Sequence, residues 1–390
     1  MKHLITARQR EQYEQFIYFA NAEVVNQASI WEQEESIPRS VIEACATAGY
    51  LGFMLPREYG GLEGDHVSYG LLNEAIGGAS VSLSGLLNVH TMFSQTLLKW
   101  GNAEQKQRWL PALASGQALG VFALTEPGAG SDIQSITTRY TRNGDDILVT
   151  GTKRWITFAG AADLFLVFGK LDGEAVATVI EKDTPGLQIK PIHHMLGFKA
   201  AHLAQLELAD CRIPAHNLIG KPGFALSYIA PYALEYGRIS VAFAALGLLR
   251  ACLEICGKHT LHRTSFGSYL IEHGTISELL TNMGVDYEAA KLLCIEAVKA
   301  KDSHLPDATE KILIAKYFTS RAAARHASNA VQIMGAIGCN EDFPLARFYR
   351  DAKTMEIIEG SNQIHQFLLG KSFARSQQNK HTTQEIIVDK

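Results

Sequence analysis

Apolar residues recur with a helical period from the start of the chain to about residue 118, most clearly near 66–79, 83–100 and 103–115. Pro38 suits the first turn of an earlier helix and Gly49 its end. From about residue 119 to 215 the period shortens to two. Asn143-Gly144 precedes the alternating Ile147 and Val149, and Asp172-Gly173 separates Leu164–Phe168 from Val176–Ile180, so two hairpins are expected. After Gly223 the helical period returns, as at Ile276, Leu279, Leu280 and Met283, and continues to about residue 373 with few breakers. The pattern predicts an α+β protein with an N-terminal helical domain over 1–118, a middle antiparallel β domain over 119–218 and a C-terminal four-helix bundle over 219–376. Residues 377–390 are polar and without period, which suggests a loose tail.

The chain's 390 residues, 47% hydrophobic and 19% charged, can build a large core and more than one unit. A net charge of -4 supplies no general attraction to nucleic acid or anionic lipid. The opening MKHLITARQREQYEQFIYFA is too charged for a signal-peptide core, and no apolar run long enough to span a bilayer stands out. Cytoplasmic location and no membrane insertion are the expectations. The six cysteines lie mostly in apolar segments and read as reduced. Cys252, Cys256 and His259 share one helix face and could present zinc ligands. A core-facing stripe beside Leu248, Leu249, Leu253 and Ile255 fits better, and no metal is expected.

Helices, then strands, then helices is an order unlike the alternating units of a dinucleotide-binding sheet, which disfavours a nicotinamide enzyme. No Gly-x-Gly-x-x-Gly follows a strand, and Gly335-Ala336-Ile337-Gly338 is a weak phosphate signal inside a helical region.

Several segments could carry chemistry. Leu124-Thr125-Glu126-Pro127-Gly128-Ala129-Gly130-Ser131-Asp132 packs glycines, a proline and hydroxyls into one turn, either to let a ligand approach the backbone or simply to connect two domains. Trp155-Ile156-Thr157 closes a strand; its aromatic ring and hydroxyl could face a planar ligand or merely serve the sheet. Arg238, at the start of a long apolar helix, requires a partner, which could be a ligand anion or a bridge to Glu235. Arg263 could clamp a phosphate or cap a helix end. Glu359, flanked by Ile357, Ile358 and Gly360, could be a carboxylate raised by burial into a general base, or a helix cap.

Taken together and in this order, these segments resemble the acyl-CoA dehydrogenase family over nearly the whole chain. The resemblance rests on Thr125 to Asp132, Trp155 to Thr157, Arg238, the Arg-x-x-Phe-Gly at Arg263 to Gly267, Gln332 to Gly335, and Glu359-Gly360-Ser361. It implies FAD held without a covalent bond between the β domain and the bundle. Leu124, Thr125 and Ser131 would then line the flavin, with Trp155, Ile156 and Thr157 beside its ring, and Ser361 and Gln363 would add contacts. Arg263, Phe266, Gln332 and Gly335 would serve the FAD of a neighbouring subunit, implying a homodimer or homotetramer. Glu359 would be the base that takes the α-proton of an acyl thioester, with Ser131, Arg238 and Gly360 bordering the substrate. A flavoprotein electron acceptor is a compatible partner.

Some relatives carry the base one position before the arginine, and here that position is Gly237, which favours Glu359. The chain departs from the usual pattern at Gly274, where many relatives have glutamine, and at Ala336, where a second glycine is usual. Tyr236 to Ala242 and Met355 to Ser361 look closest to dehydrogenases acting on acyl carrier protein thioesters. Those relatives are associated with hydroxy- or methoxymalonyl extender units for polyketides, where an oxygenated carbon is oxidised. The competing readings are a flavin monooxygenase or oxidase on the same scaffold, and a scaffold that binds no cofactor.

Overall fold

The computed structural model describes residues 4–388, with side chains described up to residue 376. Six α-helices come first: α1 (Ala7–Phe19), α2 (Ala28–Glu34), α3 (Arg39–Thr47), α4 (His66–Ala79), α5 (Val81–Trp100) and α6 (Ala103–Ala114). The sharp starts of the last three follow from their caps. Asp65 accepts from the Ser68 amide, Ser80 from that of Leu83, and Asn102 forms a reciprocal pair with Gln105, each such cap contributing about 1 kcal/mol. Every residue of α5 from Val81 to Leu97 is buried, although the segment carries Ser84, Asn88, Thr91 and Gln95. A helix enclosed on all sides must find partners for such groups inside the protein.

The middle segment is one seven-stranded sheet: β1 (Gly120–Ala123), β2 (Arg139–Asn143), β3 (Asp146–Ile156), β4 (Leu164–Leu171), β5 (Glu174–Glu181), β6 (Leu187–Pro191) and β7 (Ala204–Pro214). Both expected hairpins form, and the β4–β5 turn puts Asp172 and Gly173 at φ 52° and 85°, the left-handed pair that a two-residue turn requires. The sheet is not wholly antiparallel: β4 runs parallel to β1 and to the start of β2. Tight turns enforce antiparallel order only between the strands they join, whereas β1 reaches β4 through the whole β2–β3 hairpin.

The chain then returns to helices: α7 (Ala230–His262), α8 (Gly274–Asp302), α9 (Ala308–Met334), α10 (Pro344–Met355) and α11 (Asn362–Val388). The last continues past residue 376, where the sequence pattern placed the end of the bundle. The reading that no stretch is apolar and long enough to span a bilayer is corrected by the segment Ala225–His262, whose apolar window reaches a mean hydropathy of 1.9. Of that window 72% is buried inside the protein, so its apolar character is that of a central bundle helix. At its closest crossing, a Cβ on Gly247 would lie 2.0 Å from the Glu74 carbonyl oxygen, so α7 meets α4 backbone to backbone. Cys252 and Cys256 sit in the bundle core with Leu248 and Leu249.

Candidate active site

α10 ends at Met355, and six residues lead into α11. The Asn362 amide donates to the Glu356 carbonyl at 2.9 Å and folds this link back on itself. At its apex Glu359 and Gly360 are both left-handed, at φ 55° and 92°. For glutamate that conformation costs about 1–2 kcal/mol. Two cations hold it. Arg238 Nε donates to the Glu359 carbonyl at 3.3 Å, and Nζ of the fully buried Lys316 donates to the next carbonyl, Gly360, at 2.8 Å. The peptide N–H of Glu359 donates to no carbonyl or side chain among the described residues, so the turn presents a free donor.

The carboxylate points toward α5 and α7. Asn88 Nδ2 donates to Oε1 at 3.2 Å, while Oε2 is sealed from solvent and has no partner. Its space exists because residue 237 is glycine: a Cβ there would stand 2.3 Å from Oε2. Burial drives the Glu359 pKa upward, and it outweighs Arg238, the Asn88 bond and Lys316, all of which pull the other way. Burial also brings Lys316 down to about 7, against the pull of Glu359. The bridge from Arg238 to Glu235 does not form. Glu235 is engaged by Lys301 and Thr309 instead, and is therefore a poor substitute base.

The turn from Leu124 to Asp132 is stapled from beneath. The Glu126 carboxylate accepts from the amides and hydroxyls of Thr137 and Thr138 and from Lys153 Nζ at 2.7 Å, and Lys153 also donates to the Leu124 carbonyl at 3.0 Å. Burial would raise the Glu126 pKa, yet Lys153 and the threonine donors hold it at about 2. With its base anchored, the turn leaves Gly128, Gly130 and Ser131 exposed, and a Cβ on either glycine would touch nothing within 4 Å. A register shift between Lys153 and Ile156 turns Trp155 outward at φ 63°, 45% exposed, with the Arg154 guanidinium 4.5 Å over its ring. Ile156 is buried and Thr157 half-buried. The Thr157 methyl lies where a Cβ on Gly85 would meet it at 3.4 Å. Gly85 precedes Asn88 by three residues, so the end of β3 and Glu359 address α5 within about 5 Å along its axis. An open glycine turn, an exposed indole and nearby hydroxyls are a donor set that fits a planar cofactor bound without covalent attachment.

Other expected residues are not gathered here. Arg263 ends α7 as its C-cap and is exposed; Phe266, at the tip of a small hairpin, is 98% exposed; Gln332 and Gly335 are exposed near the end of α9. Ser361 caps the start of α11 by accepting from the Ile364 amide at 3.4 Å, and Gln363 beside it is exposed. Three participants were not singled out in the sequence. Lys316 lies hidden in an apolar helical run, and Lys153 looked like an ordinary strand residue. Asn88 had a signal: with Ser84, Thr91 and Gln95 it forms a polar stripe at helical spacing on a segment that is otherwise apolar.

Residues 6–117, 121–211 and 227–373 match the N-terminal, middle and C-terminal domains of acyl-CoA dehydrogenase. The mitochondrial short-chain specific acyl-CoA dehydrogenase of Mus musculus is 34% identical over 92% of this chain and 88% of its own length. An acyl-CoA dehydrogenase of Bacillus subtilis is 35% identical over 90% and 94%. Butyryl-CoA dehydrogenase of Megasphaera elsdenii superposes with a TM-score of 0.91 at 30% identity, covering 95% of this chain and 99% of the other. Two further structures align at 28% identity. The prolyl acyl carrier protein oxidase AnaB has a TM-score of 0.89 over 95% and 99%, and FkbI, for biosynthesis of the methoxymalonyl extender unit of a polyketide, has 0.85 over 93% and 99%. Three consecutive domain matches and relatives aligned nearly end to end place this chain in the acyl-CoA dehydrogenase family.

Proposed function

We propose that Glu359 is the base in the FAD-dependent dehydrogenation of an acyl thioester, the reaction of this family. The observation that carries the assignment is Oε2 of Glu359, a buried carboxylate oxygen without a partner, in the space that Gly237 leaves open. A buried polar atom left unpaired costs about 1–3 kcal/mol, and a raised pKa matches the carboxylate to a weak carbon acid. Asn88 holds Oε1 and leaves Oε2 to take the α-proton.

The enolate that forms must be stabilised at the thioester oxygen, and the free N–H of Glu359 is a donor for it. Arg238 and Lys316, on the two successive carbonyls of the turn, keep that N–H aimed. Trp155, Thr157 and the turn from Leu124, Thr125 and Ser131 would hold the flavin, with Ser361 and Gln363 beside the base. FAD, when bound, accepts the hydride from the β-carbon. Arg238 and Gly360 would border the thioester. An intact base argues against the monooxygenase reading.

Arg263, Phe266, Gln332 and Gly335 would complete the FAD site of a second copy. A phenylalanine 98% exposed beside an exposed arginine is what an interface residue looks like in an isolated chain. Arg263→Ala should weaken FAD retention and assembly together; a retained flavin and an unchanged oligomer would overturn this.

A carrier protein tether is a second reading, supported by the likeness to AnaB and FkbI and by the wording of residues 236–242 and 355–361. Anaerobic bleaching of the flavin by matched acyl-CoA and acyl carrier protein thioesters tests both. Bleaching by either form supports the dehydrogenase, and selective bleaching by the carrier protein form assigns the tether. No bleaching by any thioester would overturn the proposal.

A further inference from the structure

α5 carries a stripe of polar side chains, Ser84, Asn88, Thr91 and Gln95, through the interior of the protein. Two of its neighbours have partners within the fold. Ser84 donates to Asn73 Oδ1 at 2.9 Å, an atom that also accepts from Ser240 at 2.7 Å, and Gln95 donates to the Met54 carbonyl at 3.0 Å. Asn88 differs. It is 4% exposed, its Nδ2 is committed to Glu359 Oε1, and its Oδ1 is buried with no partner. One α-helical turn along, the Met92 sulfur stands 2.9 Å from where a Gly237 Cβ would be, the same point that Glu359 Oε2 approaches at 2.3 Å. Asn88 and Met92 therefore wall the space in front of the base.

The wall thus offers an acceptor without a donor, Asn88 Oδ1. A plain alkyl chain leaves that oxygen dehydrated, whereas an alcohol can donate to it.

We infer that Asn88 is a specificity-determining residue that selects acyl thioesters bearing a hydroxyl on the α- or β-carbon over unsubstituted ones. The inference rests on the proposal that Glu359 faces the acyl group, because contact with Glu359 is what places Asn88 at those carbons. A site that hydrogen-bonds a substrate hydroxyl rejects the analogue without it more strongly than an apolar pocket rejects a lost methylene, since its own polar atoms are then left unpaired.

The test uses pantetheine derivatives, the part common to coenzyme A and carrier protein tethers. S-butyl, S-(2-hydroxybutyl) and S-(3-hydroxybutyl) pantetheine thioethers lack the carbonyl that acidifies the α-hydrogen, so they bind without reacting. Calorimetry on the FAD-loaded wild type should show at least one hydroxylated thioether binding roughly tenfold tighter than S-butyl. Asn88→Val should erase that preference, read as the ratio of the hydroxylated to the S-butyl affinity within the variant, and Asn88→Ala serves if the valine variant loses its flavin. Equal affinities in the wild type, or a preference that survives both substitutions, would overturn the inference. Anaerobic bleaching by butyryl, 2-hydroxybutyryl and 3-hydroxybutyryl pantetheine, run beside it, separates the two claims. A hydroxyl preference in binding without bleaching by any thioester would sink the role of Glu359 as base, while bleaching without a hydroxyl preference would sink the role of Asn88.

Discussion

Two glutamates of this site have enclosed carboxylates and opposite fates. Glu126 accepts from four threonine donors and from Lys153, and its pKa falls to about 2 in spite of burial. Glu359 accepts from Asn88 alone, is attracted by Arg238 and Lys316 only from a distance, and its pKa rises. Desolvation raises both carboxylates; at Glu126 a directly bonded ammonium and the threonine donors reverse it, and at Glu359 nothing comparable does. A satisfied carboxylate is a structural anchor, here for the Leu124–Asp132 turn. A carboxylate left half-satisfied has affinity in reserve for a proton.

The strongest way to break this contrast is Glu359→Gln, which keeps the shape and removes the proposed base. Flavin reduction by substrate should fall by about 10⁴-fold or more, beyond what loss of an ordinary general base costs, while FAD stays bound; stopped-flow bleaching measures it. A near-normal rate would move the base elsewhere. The matching change on the other side is Glu126→Gln, which strands the buried Lys153 ammonium. It should cost about 3–5 kcal/mol of stability in urea denaturation, with weakened flavin retention because the Leu124–Asp132 turn loses its anchor. A loss below about 1 kcal/mol would show that the pair is not the staple it looks like.

A finer test is Gly237→Ala. The added methyl falls on Glu359 Oε2 and must displace it, so kcat should drop about 10²-fold, the usual consequence of a misplacement near 1 Å. The melting temperature should change little, since the obstructions are the ends of two side chains, the Glu359 carboxylate and the Met92 sulfur. Unchanged kcat would mean that the carboxylate works from another position.

The smallest effects are those of pH. As the proposed base Glu359 must be ionised, so kcat/KM should fall as pH is lowered through its raised pKa, in a limb above the ordinary glutamate range of about 4.3. Lys316→Met removes a cation that pulls this pKa down and should move the limb to higher pH; an unmoved or acid-shifted limb would contradict the geometry. In stability the signs oppose. The Glu126 contribution is present above its unfolded pKa and is lost as pH falls toward about 2. With its folded pKa raised, Glu359 favours the fold at low pH and loses that contribution as pH rises, so Glu359→Gln should be neutral or stabilising at pH 7 while Glu126→Gln is not.

Much of this was legible along the chain because it depends on neighbours in sequence. The helices 66–79 and 103–114 are set by their own caps and periods, and the Asp172-Gly173 turn by two residues that tolerate positive φ. Glu359 stood out through its apolar neighbours and the glycine after it, and the family resemblance extended that reading to the flavin turn and Arg238. What remained hidden were relations between residues far apart in the chain. Lys316 reads as a surface charge until α9 packs beneath the 359–360 turn, and the partner of Arg238 proved to be a main-chain carbonyl 121 residues away rather than adjacent Glu235. The parallel pairing of β1 with β4 likewise has no local signal. Periodicity and turn chemistry report what each segment prefers to be. Which buried polar atoms find partners, and which are left for the substrate, is settled only when segments meet, because desolvation depends on the whole enclosure.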